Sequence, residues 1–378
     1  MKRLSYFEAV ALLVGMVVGA GYLGIPYVVS RIGLPLGILM IVGVGLLVLL
    51  QFLLVVEVSL RTNAKHQLAG YIAKYLGRKW RKIVYGIIIL EFFGALLAYI
   101  VGEGQVLSAI FGGPPLLFSL GFTAVMAILV FYGLKMVEKV DLLLTLLVAF
   151  VVIVIVFFSG GSAKAENLWT NPNPAGLLPA YGVILFSFLG AAALPEMRLV
   201  LVGKEKRFAR IVVIATLIPI AIYVLFTSAV LGVTGRETTP VATVGLGATL
   251  GSVVAILGNS LAALTMATAF LGGALALRET FRFDLHLRKA WAWALTVFIP
   301  PLILVLGLND FIEILLIVGA LFGGVQGVIL VITAWRAATR GDRKPEFILP
   351  HKVLIGYLLI TVFAVGIVYS VLDIFNYF

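Results

Sequence analysis

Two clusters of small and aromatic residues have the composition expected of a binding site made from backbone groups. The residues are Gly19, Ala20 and Gly21 in the first cluster, and Phe186, Ser187, Phe188, Leu189 and Gly190 in the second. A helix interrupted inside a membrane frees peptide groups that lipid cannot satisfy, so the interruption must face a ligand, water or protein. Peptide N–H groups that begin a half-helix suit a carboxylate, and freed carbonyls that end one suit an ammonium group. Together the clusters predict a site for a zwitterion, the ionic form of an amino acid.

Two acidic residues, Glu91 and Glu103, lie deep in one long apolar segment. A charge at the centre of a membrane helix costs at least about 2.5–3.5 kcal/mol, so such residues are seldom kept without a use. Proton relay and structural hydrogen bonding both explain them, and the sequence leaves the two alternatives open. Five further acids lie nearer the ends of apolar segments, where solvation or pairing with arginine explains them. They are Glu57, Asp141, Glu196, Asp310 and Glu313.

Other kinds of chemistry find no support in the sequence. The chain has no cysteine, which excludes disulfides, thiol catalysis and cysteine-ligated zinc. Its three histidines, His66, His286 and His351, lack the spacing of a metal-ligand motif. A phosphate-binding lysine loop, a nucleophile elbow and paired catalytic carboxylates are also missing. We therefore predict that the protein is not an enzyme and needs no cofactor, apart from a sodium ion in one alternative below.

The elements that position these residues must lie in a membrane. Hydrophobic residues make up 62% of the 378-residue chain, charged residues make up 12%, and the mean hydropathy is +1.17. A water-soluble globular protein is thereby excluded, because too few polar residues remain to cover one. Apolar runs of roughly 20 residues, enough to cross a lipid core of about 30 Å, recur along the chain. They predict an all-α integral membrane protein of about eleven transmembrane helices in one domain, residues 1–378. The helices are expected at 6–30, 33–60, 83–111, 115–134, 137–158, 176–202, 209–232, 245–277, 290–307, 310–335 and 352–374.

The positive charge is concentrated on one side of these predicted helices. The net charge is +11, and 25 of the 28 lysines and arginines lie on the inner side when the N-terminus is placed in the cytoplasm. The positive-inside rule therefore predicts a cell-membrane protein with its N-terminus cytoplasmic and its C-terminus outside. Insertion explains the basic charge, so no nucleic-acid partner is implied. The basic segments 61–82 and 278–289 are amphipathic and predict short helices on the inner leaflet.

Glycine and proline interrupt the first and sixth predicted helices in matching ways. Helix 1 carries several glycines followed by Pro26, and helix 6 carries Gly190, three alanines and Pro195. The two helices start five helices apart, and an odd number turns the second half upside down relative to the first. We therefore predict inverted repeats over residues 1–158 and 176–335, with an extra helix at 352–374. For any single glycine, close packing between helices explains the residue equally well.

Four segments resemble motifs of known permeases. VGMVVGAGYLGIP in helix 1 is similar to the first-helix motif of the amino acid/auxin permease family and of the related bacterial aromatic amino acid permeases. LLAYIVGEGQVL in helix 3, VILFSFLGAAALP in helix 6 and LTMATAFLGGALAL in helix 8 resemble segments of the same families, in the same order. The resemblance implies the LeuT-type fold, which has a five-plus-five inverted repeat with helices 1 and 6 broken. The chain departs from the aromatic permeases in helix 6, where residues 189–192 are wholly apolar and a polar residue such as histidine is usual.

The resemblance also implies where a coupling ion would bind. In the LeuT-type fold one sodium ion lies between helix 1 carbonyls and helix 8 hydroxyls. Carried onto this sequence, the ligands are the carbonyls of Gly15 and Val18 with the hydroxyl of Thr268, helped by Thr265. Sodium-dependent members often have a second hydroxyl directly after the first, and here that position is Ala269. Proton coupling through Glu91 or Glu103 is the competing hypothesis.

The function implied is uptake of amino acids by a monomeric secondary active transporter. Coupling to protons or sodium would drive the substrate through a site that opens to each side of the membrane in turn. Tyr99, Phe186 and Phe188 would line an apolar pocket suited to large neutral or aromatic side chains. A membrane amino-acid sensor that does not transport would keep the same site, so it remains the main alternative. An ion channel is the weaker alternative, because the paired breaks argue against a pore.

Overall fold

The described part of the protein is built from helices. The computed structural model describes residues 6–132, 155, 161–168 and 172–377, and every regular element within them is helical. Seven described helices are long and apolar enough to cross a membrane, and a bent pair of shorter helices supplies an eighth span. The chain is therefore a multi-pass membrane protein. The predicted helix at 137–158, with Asp141, lies outside the described residues except for Ile155, so the count of eleven stays a prediction.

The helices follow the predicted order. They are α1 Tyr6–Val17, α2 Gly21–Ile32, α3 Leu34–Leu60, α4 Leu68–Leu76, α5 Arg78–Phe111, α6 Pro115–Tyr132, α7 Ala165–Leu168, α8 Leu177–Ser187, α9 Ala193–Val200, α10 Phe208–Thr234, α11 Ala242–Leu250, α12 Ser252–Glu279, α13 Lys289–Val305, α14 Phe311–Leu316, α15 Gly324–Arg340 and α16 Lys352–Tyr377. Two π-helical segments extend this set, Thr280–Asp284 after α12 and Ile317–Gly323 between α14 and α15.

The first span is broken between α1 and α2, whose axes meet at 56°. The N–H of Val18 still bonds the carbonyl of Val14 at 2.8 Å, but the N–H of Gly19 turns to the carbonyl of Val17 at 2.9 Å. A helical pattern resumes when the N–H of Leu23 bonds the carbonyl of Ala20 at 3.1 Å. Small residues permit this course because no side chain obstructs the bend.

The sixth predicted span is interrupted in a similar manner. Helix α8 ends at Ser187 and α9 begins at Ala193, and residues 188–192 lie outside both helices. Tight turns close the gap from each side, because the N–H of Leu189 bonds the carbonyl of Phe186 and the N–H of Ala193 bonds the carbonyl of Gly190, both at 3.0 Å. The chain therefore leaves the regular helix at the apolar Leu-Gly-Ala-Ala segment.

Close backbone contacts hold α8 in place. A Cβ atom added at Gly319 would lie 2.0 Å from the carbonyl oxygen of Gly182 and 2.6 Å from the backbone nitrogen of Phe186. Because those atoms belong to main chain, they cannot rotate away. The π-helical segment between α14 and α15 thus lies directly against the last turns of α8. On α5, Gly94 and Gly102 allow similar close approach to Val318 and Phe311.

The structure corrects one predicted helix boundary and two predictions about short helices on the membrane surface. Helix 8 begins at Ser252 and not at 245, because Gly251, with φ of +95°, separates it from the short helix α11. In the segment 61–82, α4 buries Tyr71, Ile72 and Tyr75 within the protein, so its apolar side is not free for lipid. The segment 278–289 forms no separate short helix, since α12 runs on to Glu279 and continues as a π-helix. Amphipathic periodicity indicates a one-sided helix but not whether that side meets lipid or protein.

A polar cluster joins α3, α9, α16 and the segments between them. We call it the basic face and define it by Arg61, Lys74, Arg198, Arg343 and Lys352. Glu57, only 3% exposed, accepts hydrogen bonds from Arg61 Nε and Lys352 Nζ at 2.8 Å and from the backbone N–H of Leu349 at 2.9 Å. The predicted pairing of Glu57 with basic residues is thus confirmed, and it fixes the start of α16 against the end of α3.

Arg198 forms a second link within the basic face. Its guanidinium is buried and donates to the hydroxyl of Tyr71 at 2.7 Å and to the carbonyl of Thr62. Nearby, Lys74 pairs with Asp342. These contacts connect α9, which follows the second break, to the segment around α4.

We expect Glu57→Gln to lower the free energy of unfolding by about 2–3 kcal/mol, because two cations would lose their shared carboxylate. The loss is smaller than that of a wholly buried pair, since Arg61 and Lys352 keep some contact with water. Thermal unfolding of the purified protein in detergent measures the change. Glu166→Gln, at an exposed carboxylate, is the matched control and should leave the midpoint unchanged. Equal midpoints for the two variants would contradict the role of Glu57.

We also expect the basic face to weaken in mild acid through His66. Burial, followed by the charges of Lys74 and Arg198, lowers the pKa of His66 below its usual 6.5. The unfolded chain therefore binds more protons than the folded one just below about pH 6.5, and stability falls as the pH drops through that window. The unfolding midpoint should decrease between about pH 7.5 and about pH 5.5. In His66→Gln this part of the decrease should disappear, and an unchanged pH profile would refute the assignment.

Candidate functional site

The two breaks touch each other. A Cβ atom added at Gly21 would lie 2.5 Å from Ser187 Oγ, 2.7 Å from Ser187 Cα and 2.9 Å from a ring carbon of Phe186. The start of α2 and the end of α8 are therefore in backbone-level contact, which only glycine allows. Ser187 is buried and its hydroxyl donates to the carbonyl of Val183 at 2.9 Å, so its lone pairs remain available to accept.

Tyr99 of α5 also lies close to the first break. Its hydroxyl oxygen lies 3.3 Å from the point where a Cβ of Gly19 would be. The structure thus brings together six of the residues that the sequence analysis selected for substrate binding. They are Gly19, Ala20, Gly21, Tyr99, Phe186 and Ser187.

Three other predicted site residues pack against neighbouring segments. Phe188 is fully buried and packs on Tyr223 of α10, with ring centroids 5.0 Å apart. Gly190 lies against Val17, and Leu189 lies against Gly323. These residues shape the second break by packing against α1, α10 and the π-helical segment.

Two tyrosines at the breaks were missed by the sequence analysis. Tyr223, which is fully buried, places its hydroxyl 3.0 Å from the carbonyl oxygen of Val17 and 2.7 Å from that of Ser187. Tyr22 stacks on Tyr223 with ring planes 8° apart. Tyr22 directly follows the Gly-Ala-Gly cluster, so its position in the sequence could have marked it as a site residue. Tyr223 lies in an ordinary apolar helix, so nothing in the sequence marks it.

The hydroxyls proposed for sodium bond their own helix. Thr265 Oγ1 donates to the carbonyl of Leu261 at 2.8 Å, and Thr268 Oγ1 lies 3.0 Å from the carbonyls of Leu264 and Thr265. A hydroxyl that donates in this way retains lone pairs for a cation. Gly15 is half-buried near the end of α1, and Val18 is buried at the break.

The two deep acids have different surroundings. Glu91 Oε2 accepts a hydrogen bond from Gln326 Nε2 of α15 at 2.6 Å. Glu103 is 4% exposed, and its Oε2 has no hydrogen-bond partner among the described residues. A charged carboxylate without a partner is costly in an apolar interior, so the neutral acid is the form that suits Glu103. The residue lies one helical turn after Tyr99 on the same side of α5.

A protein-based transition-metal site is not formed by the described residues. They contain no group of three or more histidine, aspartate and glutamate side chains close enough to hold a metal ion. The polar atoms at the breaks are peptide carbonyls and hydroxyls, which suit hydrogen-bond donors and hard monovalent cations.

We expect Gly21→Ala to destabilise the protein by about 1–3 kcal/mol, since the added methyl would meet the Cα of Ser187 and backbone must move. Thermal unfolding in detergent provides the measurement. Gly43→Ala in α3 is the matched control, because a Cβ there would meet nothing within 4 Å. A Gly21→Ala midpoint at or above that of Gly43→Ala would show that the breaks are not in close contact.

Comparisons with known proteins identify the fold and the family. A crystal structure of MhsT in complex with L-phenylalanine superposes with a TM-score of 0.67 at 16% identity, covering 97% of this chain and 98% of that chain. At that identity the likeness shows the fold alone, which is the expected LeuT-type fold. Tyrosine-specific transport system 1 of Haemophilus influenzae is 27% identical and covers 94% of this chain and 93% of its own length.

Another relative, glutamine transporter 2 of Aliivibrio fischeri, is 24% identical and covers 87% of this chain and 86% of its own length. The tryptophan/tyrosine permease family matches residues 2–372, nearly the whole chain. This extent of match confirms the resemblance to the bacterial aromatic amino acid permeases. The chain belongs to the tryptophan/tyrosine permease family, and is a permease and not an enzyme.

Proposed function

We propose that this protein takes up large neutral or aromatic amino acids by cation-coupled alternating access. The observation that carries the proposal is the contact between the two breaks, where Gly21 lies directly against Ser187. Peptide N–H groups at the start of α2 suit the substrate carboxylate, and carbonyls near the end of α8 suit its ammonium group. A zwitterion can engage both ends at once, which a simple anion or cation cannot.

The side chains around this contact favour a bulky apolar substrate. Phe186 is nearly buried beside Gly21, and Tyr99 presents its hydroxyl to Gly19. The Haemophilus influenzae relative is named for tyrosine, whereas the Aliivibrio fischeri relative is named for glutamine. Because the described second break lacks a charged side chain, we assign neutral substrates to this chain and rank aromatic ones first.

Protons are the coupling ion that the surroundings of the acids support best. Glu103 is the buried carboxyl without a partner on Oε2, and it lies on the side of α5 that carries Tyr99. A carboxyl in that position can bind a proton from one side and release it when the site opens to the other. One charge crossing about 100 mV supplies roughly 2.3 kcal/mol, which is about fiftyfold accumulation.

The basic face supports an assignment of the protein's orientation in the membrane. By the positive-inside rule we assign it to the cytoplasm, with the N-terminus on the same side and the C-terminus outside. There Arg198 ties α9 to Thr62 and Tyr71. Opening the site to the cytoplasm would require this tie to release, so Arg198 would act as part of an inner gate.

Uptake of labelled amino acids into proteoliposomes tests the proposal. Tyrosine, tryptophan, phenylalanine, leucine and glutamine would be supplied with proton and sodium gradients imposed separately. We expect concentrative uptake of the aromatic amino acids. Binding without exchange in a counterflow assay would instead identify a sensor that does not transport, and currents beyond carrier turnover would identify a channel.

We expect Glu103→Gln to reduce proton-driven uptake about tenfold or more, because the amide cannot carry the proton. Glu91→Gln on the same helix is the matched control, since an amide there can keep its hydrogen bond to Gln326. Thr268→Ala should leave uptake unchanged at any sodium concentration. Loss of a sodium-stimulated flux in Thr268→Ala, with full activity in Glu103→Gln, would identify sodium and not the proton as the coupling ion.

A further inference from the structure

Tyr223 lies at the point where the two breaks meet, although its own helix α10 belongs to neither broken span. Its hydroxyl contacts the carbonyl oxygen of Val17 at 3.0 Å and that of Ser187 at 2.7 Å. Val17 is the last residue of α1 and Ser187 is the last residue of α8. A phenol carries one proton, so one donor serves both carbonyls.

The two carbonyls create a local excess of negative potential. Each lies at the C-terminal end of a half-helix, where the helix dipole concentrates partial negative charge. A buried carbonyl without a positive partner loses stability, because no water replaces the missing hydrogen bond. In broken membrane helices such ends are suited to coordinate a sodium ion. The N–H of Gly19 meets part of this need at the carbonyl of Val17, and a further positively polarised group is needed at the carbonyl of Ser187.

The ring of Tyr223 is held by residues from both breaks. It stacks on Tyr22 with ring centroids 6.4 Å apart and packs on Phe188 at 5.0 Å. Tyr22 in turn meets Phe226 of α10 edge to face at 5.0 Å. Tyr223 itself has no exposed surface, so its hydroxyl has little freedom to turn away from the two carbonyls.

We propose that the hydroxyl of Tyr223 takes the place of a metal cation at the junction of the two breaks. It is a positioning residue that ties the end of α1 to the end of α8 and makes a bound ion unnecessary at this point. The inference rests on the proposed function, because it concerns how the same site keeps its shape. Removing the hydroxyl should leave the carbonyl of Ser187 without this donor and the carbonyl of Val17 with only the N–H of Gly19. The junction should then become a site that sodium stabilises.

Thermal unfolding without any amino acid tests this inference. The purified full-length protein would be compared with Tyr223→Phe and Tyr181→Phe in detergent, while sodium chloride replaces choline chloride at constant ionic strength. Tyr181 is the matched control, because it is a buried tyrosine of α8 whose hydroxyl has no partner among the described residues. Removing that hydroxyl should not lower the midpoint and should leave its dependence on sodium unchanged.

We expect the Tyr223→Phe midpoint in choline to fall by about 2–4 °C and to recover at least half of that loss in sodium. The wild type and Tyr181→Phe should respond less to sodium. The inference is overturned if Tyr223→Phe behaves like Tyr181→Phe, and equally if its midpoint falls but sodium restores none of the loss.

A second variant covers the case in which Tyr223→Phe does not fold. Tyr223→His keeps an aromatic ring with an N–H donor, so we expect it to fold and to show the sodium response of the wild type. A sodium response in Tyr223→His larger than that of the wild type would overturn the inference. The unfolding assay contains no substrate, so its result does not depend on transport activity. Failure of the wild type in every uptake assay would contradict the proposed function and leave this inference testable.

Discussion

A helix that stops inside lipid must have its peptide groups satisfied by protein, and this requirement organises the structure around the two breaks. Gly19 and Gly21 let the first break approach its neighbours, and Gly319 lets the π-helical segment reach the backbone of α8. Larger residues at these points would separate the main chains and leave polar groups exposed to an apolar surrounding. The small residues therefore allow the chain to bend at the breaks and also allow neighbouring main chains to satisfy the freed peptide groups.

The general architecture could be predicted from the sequence because its signals are local. Apolar length locates the spans, and the Gly-Ala-Gly segment together with the apolar Leu-Gly-Ala-Ala segment locates the interruptions. Each signal depends on a few consecutive residues. The family assignment follows for the same reason, since its motifs lie within single helices.

Interactions between distant helices could not be predicted in the same way. Glu91 and Glu103 have similar sequence surroundings, but Gln326, 235 positions away, hydrogen-bonds only the first of them. Tyr223 bonds Val17 across 206 positions, and an isolated tyrosine in an apolar helix carries no mark of that role. The side of α4 that faces protein was assigned to lipid because both surroundings are apolar and favour the same periodicity.

The second break has a fixed attachment on each side, and this arrangement favours a hinge at residues 188–192. On one side Tyr223 bonds the carbonyl of Ser187 at the end of α8, and on the other Arg198 of α9 bonds Thr62 and Tyr71. The segment between them is apolar and irregular, so rotation there disrupts few regular hydrogen bonds. Motion of α9 must break the Arg198 contacts while α8 stays attached to α1 through Tyr223. The proposed alternating access would therefore move the end of the break that meets the basic face and leave the end that meets the first break in place.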